Sequence, residues 1–327
     1  MVSNEKIEKS YETLRLAAKM SKLYYQKPLI ITYSGGKDSD VMLQLALECL
    51  RKDEFEVLNS HTTVDAPPTV YHIRKVFKHL ESMGVKTTIK KPMYKGKPTS
   101  MWKLIVEKNM PPTRIARYCC KVLKESNTLN RMVAVGVRED ESTGRKGRKE
   151  FGTSGATKKE ALYFDMSHVK EVFTESEAKR AENMAAPNDF DVWDCKLIEV
   201  AKQKKSLIVN PIYHWTDAEI WNFIRDRKIE YCTLYDMGYS RVGCIGCPLA
   251  TYKARSKEFS DFPTYKANYI KAFDKMLDER KKLGKLDHYG RWRDGESIFR
   301  WWIKDPVLDG QLEMAFDGNE FVELKEH

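Results

Sequence analysis

The sequence predicts an α/β protein with a doubly wound, mainly parallel sheet and a helical C-terminal extension. Three observations carry this. Short apolar, β-branched runs alternate with amphipathic stretches of helical length from residue 28 onward, the βαβα order of a parallel sheet covered on both faces. The first run is followed at once by the glycine-bearing turn Ser34-Gly-Gly-Lys-Asp-Ser39. The ends of three predicted strands carry Tyr33, Asp65 and Arg138, and ligands of such folds sit at the carboxyl ends of the strands.

Residues 3–26 read as an amphipathic helix with Ile7, Tyr11, Leu14 and Ala18 on one face. Leu29, Ile30, Ile31 and Tyr33 form a buried strand. Asp38 to Arg51 reads as a helix. A second strand runs through FEVLNSHTTVD to Asp65, and a helix follows from about Pro68 to Met83. GVKTTIKKP and NRMVAVGVRED supply a third and a fourth strand. From Ser142 to Lys205 the pattern breaks; STGRKGRKEFGTSGATKKE is polar, basic and Gly-bearing and reads as a loop. Order returns at NPIYHWTDAEIWNFIRDRKI, where Asp217 is expected to cap a helix bearing Ile220, Trp221 and Ile224. His214 reads as structural. After Cys247 the chain is expected to be mainly helical and basic as far as Arg293, and the last stretch is acidic. The expected organisation is residues 1–250 as an α/β domain with a basic insert at 143–205, then 251–327 as a helical basic extension with an acidic tail.

With 327 residues the chain is long enough for one large or two modest domains. Hydrophobic residues make up 42% and charged residues 32%, the balance of a soluble globular protein. No apolar run approaches the ~20 residues of a membrane span, and MVSNEKIEKSYETL has no signal-peptide core. A cytoplasmic protein without a membrane partner is expected. The net charge of +10 fits either a polyanionic partner (a nucleotide, a nucleic acid or an acidic protein) or simply a solvated basic surface.

A strand, a Gly-rich turn and a helix N-terminus together make an anion site. Gly35 and Gly36 let the backbone approach a ligand, and successive N–H groups at the dipole end favour negative charge. Ser34 and Ser39 add hydroxyls and Lys37 adds a point charge. Asp38 either caps the helix or holds a magnesium ion. The spacing fits neither a Walker loop nor the dinucleotide fingerprint.

The turn resembles the pyrophosphate-binding loop of the adenine nucleotide alpha hydrolase-like ATP pyrophosphatases. The resemblance implies that Ser34 to Ser39 grip the outer phosphates of ATP while a substrate oxygen attacks the α-phosphorus, releasing pyrophosphate. Charge clamping and positioning would do this work. Asp65 then either contacts the ribose or adenine or caps a turn. Arg138 either clamps the α-phosphate or the activated oxygen, or is a surface arginine.

Seven cysteines, in a chain without an export signal, argue against a disulfide framework. Cys119 and Cys120 are adjacent, and Cys244 and Cys247 form a Cys-x-x-Cys turn, a half-site for a soft metal or a cluster. A cluster, zinc or plain buried thiols are the alternatives. Cys49 reads as core; Cys195 and Cys232 have no assigned role.

The Cys-Cys and Cys-x-x-Cys pair is similar to the pattern of 4Fe–4S assimilatory adenylyl-sulfate reductases. VGVREDES, NPIYHWTDAEIWNFI and YCTLYDMGYSRVGCIGC resemble further segments of that group, with Cys232-Thr233 in place of an Asn-Pro. Over roughly residues 28–250 the chain is identified as a member of the phosphoadenosine phosphosulfate reductase-like group. The resemblance implies a 4Fe–4S cluster on Cys119, Cys120, Cys244 and Cys247, ATP with Mg2+ (or adenylyl sulfate) at the turn, and Lys124 near cluster and nucleotide. In the reductases a cysteine in a C-terminal Glu-Cys-Gly-x-His tail attacks the sulfate; this sequence has no cysteine after Cys247, and Cys195 is the one substitute. That departure brings the chain closer to the DNA phosphorothioation ATPases and to tRNA thiolation enzymes. The implied chemistry is adenylation of a nucleic-acid oxygen and its replacement by sulfur from a cysteine desulfurase or other donor. The alternatives are thioredoxin-dependent reduction of a sulfated nucleotide and a cluster-bearing nucleotide sensor or DNA-presenting subunit.

Residues 251–293 hold twelve Lys or Arg against six Asp or Glu, with Tyr252, Tyr265, Tyr269, Tyr289 and Trp292 interleaved. This reads either as a nucleic-acid track or, since Tyr265, Tyr269 and Phe273 recur at helical spacing, as a core face. GRKGRKEF at 147 invites the same nucleic-acid reading. FRWWIKD is expected to pack as an anchor.

Overall fold

The computed structural model describes residues 2–124, 128, 130–141, 151–154, 206–285, 292–304, 314–317 and 320–323. The chain divides into two compact units. The first comprises Met1–Pro98 and Cys120–Gly243; the second comprises Thr99–Cys119 and Cys244–His327.

In the first unit, helix α1 (Asn4–Tyr25) starts at Ser3, whose hydroxyl accepts from the Lys6 N–H. Leu14 and Ala18 of its apolar face are buried, and Ile7 and Tyr11 pack half-buried against the same core. The elements β1 (Leu29–Thr32), α2 (Lys37–Cys49), β2 (Phe55–Ser60), α3 (Pro67–Ser82) and β3 (Thr87–Lys90) then alternate. A short hairpin follows, β4 (Met93–Tyr94) with β5 (Lys97–Pro98). Strands β6 (Met132–Ala134), β7 (Phe151–Ser154) and β8 (Ser206–Val209) complete a sheet of order β3-β2-β1-β6-β8-β7. All neighbours are parallel except β7, which pairs antiparallel with β8. The sheet is covered on both faces: Leu29 and Ile31 point to one core, Ile30 to the other with Leu58, Val133 and Ile208.

Three sequence expectations change. The second strand, expected to run to Asp65, ends at Ser60. The stretch 142–205, read as a loop, contains the edge strand β7. The antiparallel partner β8 supplies its hydrogen bonds, so the segment's polar surroundings do not prevent pairing. Asp217 does not cap its helix. Helix α6, as we number Asp217–Asp226 here, is capped by Thr216 in a reciprocal box with Glu219. The numbering leaves α4 and α5 for the elements at Met101–Lys108 and Tyr118–Leu123.

The second unit is mainly helical: α4, the start of α5, α7 (Tyr252–Asp261), α8 (Pro263–Lys282) and α9 (Gly295–Ile303), plus an antiparallel pair, β9 (Met314–Asp317) and β10 (Glu320–Glu323). Its core is aromatic. Tyr269 and Phe273 are buried, Tyr269 lies 4.7 Å from Trp302 between ring centroids, and Trp102 meets Tyr269 edge-on at 4.8 Å. The helical recurrence of Tyr269 and Phe273 is therefore a core face; Tyr265 is half-buried and Trp292 buried, while Tyr252 remains exposed. Tyr289 lies outside the described residues. The anchor reading of FRWWIKD holds for Trp302, which is 2% exposed. Arg255 is buried beside it and donates to the carbonyls of Trp302 and Ile303, satisfying the C-terminal end of α9. Among the described residues no helix is long and apolar enough to cross a membrane.

Candidate active site

The sheet order places the first described switch of direction between β1 and β6: the chain steps outward from β1 through β2 to β3, then crosses to β6 on the other side. Such a switch leaves a crevice at the carboxyl ends of the two strands. The turn Ser34–Ser39 leaves β1 there, and Arg138 follows β6.

The turn is fixed by backbone demands. Gly35 has φ +74°, and a Cβ there would stand 2.9 Å from Cγ1 of Ile73. Gly36 is the N-cap of α2, and no side chain caps it. Asp38 sits in the first helical turn, where its charge complements the dipole, but it makes no cap bond, which removes that alternative. Ser39 Oγ donates to the Gly36 carbonyl at 2.7 Å and lies 3.3 Å from both the N and the Oγ of Ser34. The Lys37 N–H donates to the hydroxyl of Tyr235 at 2.9 Å. Burial pushes that phenol well above its ordinary value, so it remains protonated.

Four charged side chains meet at this turn. Lys37 is 5% exposed, with Nζ 2.9 Å from Oδ1 of Asp217 and 4.0 Å from Asp38. Arg138 is 2% exposed, which excludes the surface reading. Its Nε donates to Oδ1 of Asp38 at 2.5 Å, one terminal nitrogen to Oδ1 of Asp217 at 2.9 Å, and the other to the Trp215 carbonyl at 3.3 Å. Gly136 permits this approach, because a Cβ there would lie 3.2 Å from the backbone of Asp38. Burial works against the charge of Asp217, but Lys37 and Arg138 outweigh it and hold its carboxyl below the usual range. Trp221 and Tyr235 flank the Lys37 ammonium, their ring centroids 6.0 and 5.7 Å away.

Asp65 receives the N–H and hydroxyl of Thr62 at 2.9 and 2.8 Å, the turn-capping alternative. Burial opposes its charge; hydrogen bonding from His61, the charge of Lys124 and Thr62 outweigh that and lower its pKa. Lys124 thus belongs to the end of β2 with Asp65, and its carbonyl accepts from Ser60. Beneath the turn, the Tyr33 hydroxyl donates to Oδ1 of Asp40 at 2.5 Å and lies 2.9 Å from Nε2 of His72. Burial pushes the Asp40 carboxyl up, against hydrogen bonds from His72 and Tyr33. Sequence reasoning placed Tyr33 at a strand end but missed the site roles of Asp217, Tyr235, Asp40 and His72. Tyr235 lies in a segment whose family likeness was visible; Asp217 carried only the signal of a helix start.

The described cysteines form no disulfide. Cys49 packs half-buried against the core, and burial pushes its thiol up to about 12. Cys232 is fully buried, 3.8 Å from the Thr69 hydroxyl. Cys195 lies outside the described residues. In the second unit, Tyr269 donates to the Ile245 carbonyl inside the Cys244–Cys247 turn, at 2.9 Å. Burial, then the neighbouring Cys244, Cys119 and Cys247, raise its hydroxyl. Thiols are a donor type suited to a soft centre. Among the described residues, however, no group of three or more His, Cys, Asp or Glu is gathered closely enough to hold a metal ion. Cys120, next along α5, falls in the first unit.

Fold and turn together define an α/β protein with the fold of a nucleotide-binding domain. The phosphoadenosine phosphosulfate reductase domain matches residues 28–250, and the chain belongs to that family. An uncharacterized protein of Methanocaldococcus jannaschii is 24% identical over 91% of this chain and 51% of its own length. A second from the same organism is 25% identical over 89% and 58%. The chain thus spans about half the length of these relatives. Adenosine 5'-phosphosulfate reductase of Staphylococcus epidermidis is 44% identical over 43 residues, 13% of this chain and 18% of its own. Among solved structures, phosphoadenylyl-sulfate reductase of Candida auris aligns with TM-score 0.40 and 17% identity, covering 75% of this chain and 96% of its own. The U34-tRNA thiolase of Methanococcus maripaludis, with its 4Fe–4S cluster, aligns with TM-score 0.40 and 15% identity, covering 88% and 82%.

Proposed function

We propose that the protein is an ATP pyrophosphatase that adenylates an oxygen of a nucleic acid so that sulfur can replace it. The observation that carries this is the buried pair Lys37 and Arg138, both held by one oxygen of the half-exposed Asp217 beside the N-terminus of α2. The two buried cations are balanced by Asp38 and Asp217, and of these shared partners Asp217 is the exposed one, which a ligand can displace from the solvent side. An incoming phosphate takes the place of the Asp217 carboxylate on Lys37 and of the Tyr235 hydroxyl on the Lys37 N–H. Ser34 and Ser39 supply hydroxyl donors. Arg138 neutralises charge developing at the α-phosphate, and Mg2+ accompanies the triphosphate as its counter-ion. Asp65 and Lys124, at the end of β2, serve the nucleoside side of the crevice.

The net charge of +10 supports a polyanionic acceptor. The sequence pattern nominates Cys119, Cys120, Cys244 and Cys247 as the residues that would hold an iron–sulfur cluster, which would supply a site for handling sulfur, although the described residues gather no such group closely enough to hold a metal. A cysteine desulfurase or another persulfide donor is the partner such chemistry needs. The second reading, reduction of a sulfated nucleotide, is favoured by the 43-residue likeness to adenosine 5'-phosphosulfate reductase. Anaerobic protein given ATP, adenylyl sulfate or phosphoadenylyl sulfate, with tRNA or DNA and with reduced thioredoxin as the two-electron donor, separates the two. Pyrophosphate from ATP, stimulated by nucleic acid, supports the first; sulfite from a sulfated nucleotide supports the second.

A further inference from the structure

We infer that the end of β3 and the β4–β5 hairpin form a docking surface for the sugar–phosphate backbone of a nucleic acid. This rests on the nucleic-acid reading above and says where on the molecule the polymer lies.

The first observation is charge. From Ser82 to Pro98 the sequence has five lysines and no acidic residue, whereas the whole chain has 57 basic residues to 47 acidic. Lys86 is neutralised by Glu56 at 2.7 Å. Lys90, Lys91, Lys95 and Lys97 are all exposed, and none pairs with a carboxylate among the described residues. A solvated surface of a mixed-charge protein intersperses the two signs; this one does not.

The second observation is rigidity. Tyr94 pairs with Lys97 across a two-residue turn. Both turn residues, Lys95 and Gly96, have positive φ, +48° and +74°. That is the primed turn that matches strand twist, and it holds a non-glycine residue in a conformation few side chains adopt. The lysines are presented on a shaped hairpin, and Lys95 Nζ stands 5.4 Å from the centre of the Tyr94 ring. Ile89 and Met93, 43% and 49% exposed, flank Lys90 and Lys91 along the chain. Cations interleaved with exposed apolar and aromatic groups suit a backbone whose bases are unpaired or splayed.

The third observation is position. Lys90 is the register partner of Ser60, at the carboxyl end of β2, and its carbonyl accepts from the His61 N–H. The hairpin therefore leaves the same edge of the sheet as the Ser34–Ser39 turn. Two strand spacings, about 10 Å, separate β3 from β1. A polymer held by the hairpin can reach the crevice with a neighbouring nucleotide. An anionic membrane would also attract lysines beside Ile89 and Met93, but nothing about a membrane calls for this edge of the sheet.

The test is binding of labelled tRNA and single-stranded DNA to the full chain, with Lys90, Lys91, Lys95 and Lys97 all replaced by Gln, and with Lys95→Gln alone as a milder variant. The fourfold variant is expected to lose affinity about tenfold or more at low salt. Its slope of log K against log salt should shrink by about 3, from four contacts at about 0.7 each. ATP affinity and melting temperature should stay as in the wild type, and Lys95→Gln should show a partial loss in the same direction. Unchanged nucleic-acid affinity, or lysine-dependent binding to phosphatidylglycerol vesicles without any to tRNA or DNA, would overturn the inference. If the variant binds as wild type while nucleic acid still stimulates pyrophosphate release, the hairpin assignment fails and the functional reading stands. If the wild type binds neither polymer, both fail.

Discussion

The Asp217 carboxylate lies 2.9 Å from the Lys37 ammonium, joining the first turn of α6 to the first turn of α2 across the mouth of the crevice. The same oxygen accepts from Arg138. On the proposed function, an incoming phosphate competes with this carboxylate for the two cations. Replacing Asp217 with Asn removes the competitor and leaves a neutral oxygen in its place. ATP and pyrophosphate are expected to bind more tightly, by about 1–2 kcal/mol or roughly five- to thirtyfold. Titration calorimetry reads this directly; weaker binding would mean that Asp217 helps hold the ligand instead.

Arg138 is directional. Its three nitrogens reach Asp38, Asp217 and the Trp215 carbonyl separately, which an ammonium cannot do. Arg138→Lys is expected to lower the rate of pyrophosphate release by about 100-fold or more while leaving the fold intact. A rate within about threefold of wild type, on the same scale, would take the arginine out of the chemistry.

Gly35 carries the sharpest backbone demand. Alanine there meets both the φ of +74° and Ile73 at 2.9 Å. The combined cost is expected to be about 2 kcal/mol, seen as a lower melting temperature and as lost ATP affinity. A variant that melts and binds like the wild type would show that the turn relaxes freely.

Acid should destabilise the first unit through Asp65 and Asp217, whose carboxyls are held low. A depressed carboxyl contributes stability that is fully present above its unfolded pKa, about 4, and is lost as the pH falls through its folded value. Asp40, pushed up by burial, works with the opposite sign: its contribution is present at low pH and is lost as the pH rises through its folded value. Denaturant midpoints measured from about pH 6 down to about pH 3 should fall below about pH 4, and Asp65→Asn should flatten that limb. An identical acid limb in the variant would remove Asp65 from it.

Much of this site was legible in the sequence because it is local. Ser34 to Ser39 stand in one unbroken stretch, and their neighbours demand a strand before and a helix after. Arg138 was visible as a strand-end residue, though its burial was not. Asp217 and Tyr235 were hidden for a physical reason: they reach the turn from beyond the insert, and nothing local distinguishes a carboxylate that bridges two cations from one that begins a helix. Strand β7 was hidden because an edge strand in a polar segment carries little apolar periodicity. The aromatic recurrence at Tyr269 and Phe273 was legible as a pattern, and packing decided its meaning.

The cysteines are open to a direct assay. Protein purified anaerobically is expected to contain iron and acid-labile sulfide, and Cys244→Ser to lose both, with the Tyr269 aromatic core still folded. Stoichiometric zinc, or no metal in a folded protein, would contradict the cluster.

The most direct test of the central claim is which bond of ATP breaks. With nucleic acid present, labelled ATP should yield pyrophosphate and an adenylyl group, from attack at the α-phosphorus. Inorganic phosphate and ADP, from attack at the γ-phosphorus, would contradict the assignment of Lys37 and Arg138 to an adenylating site.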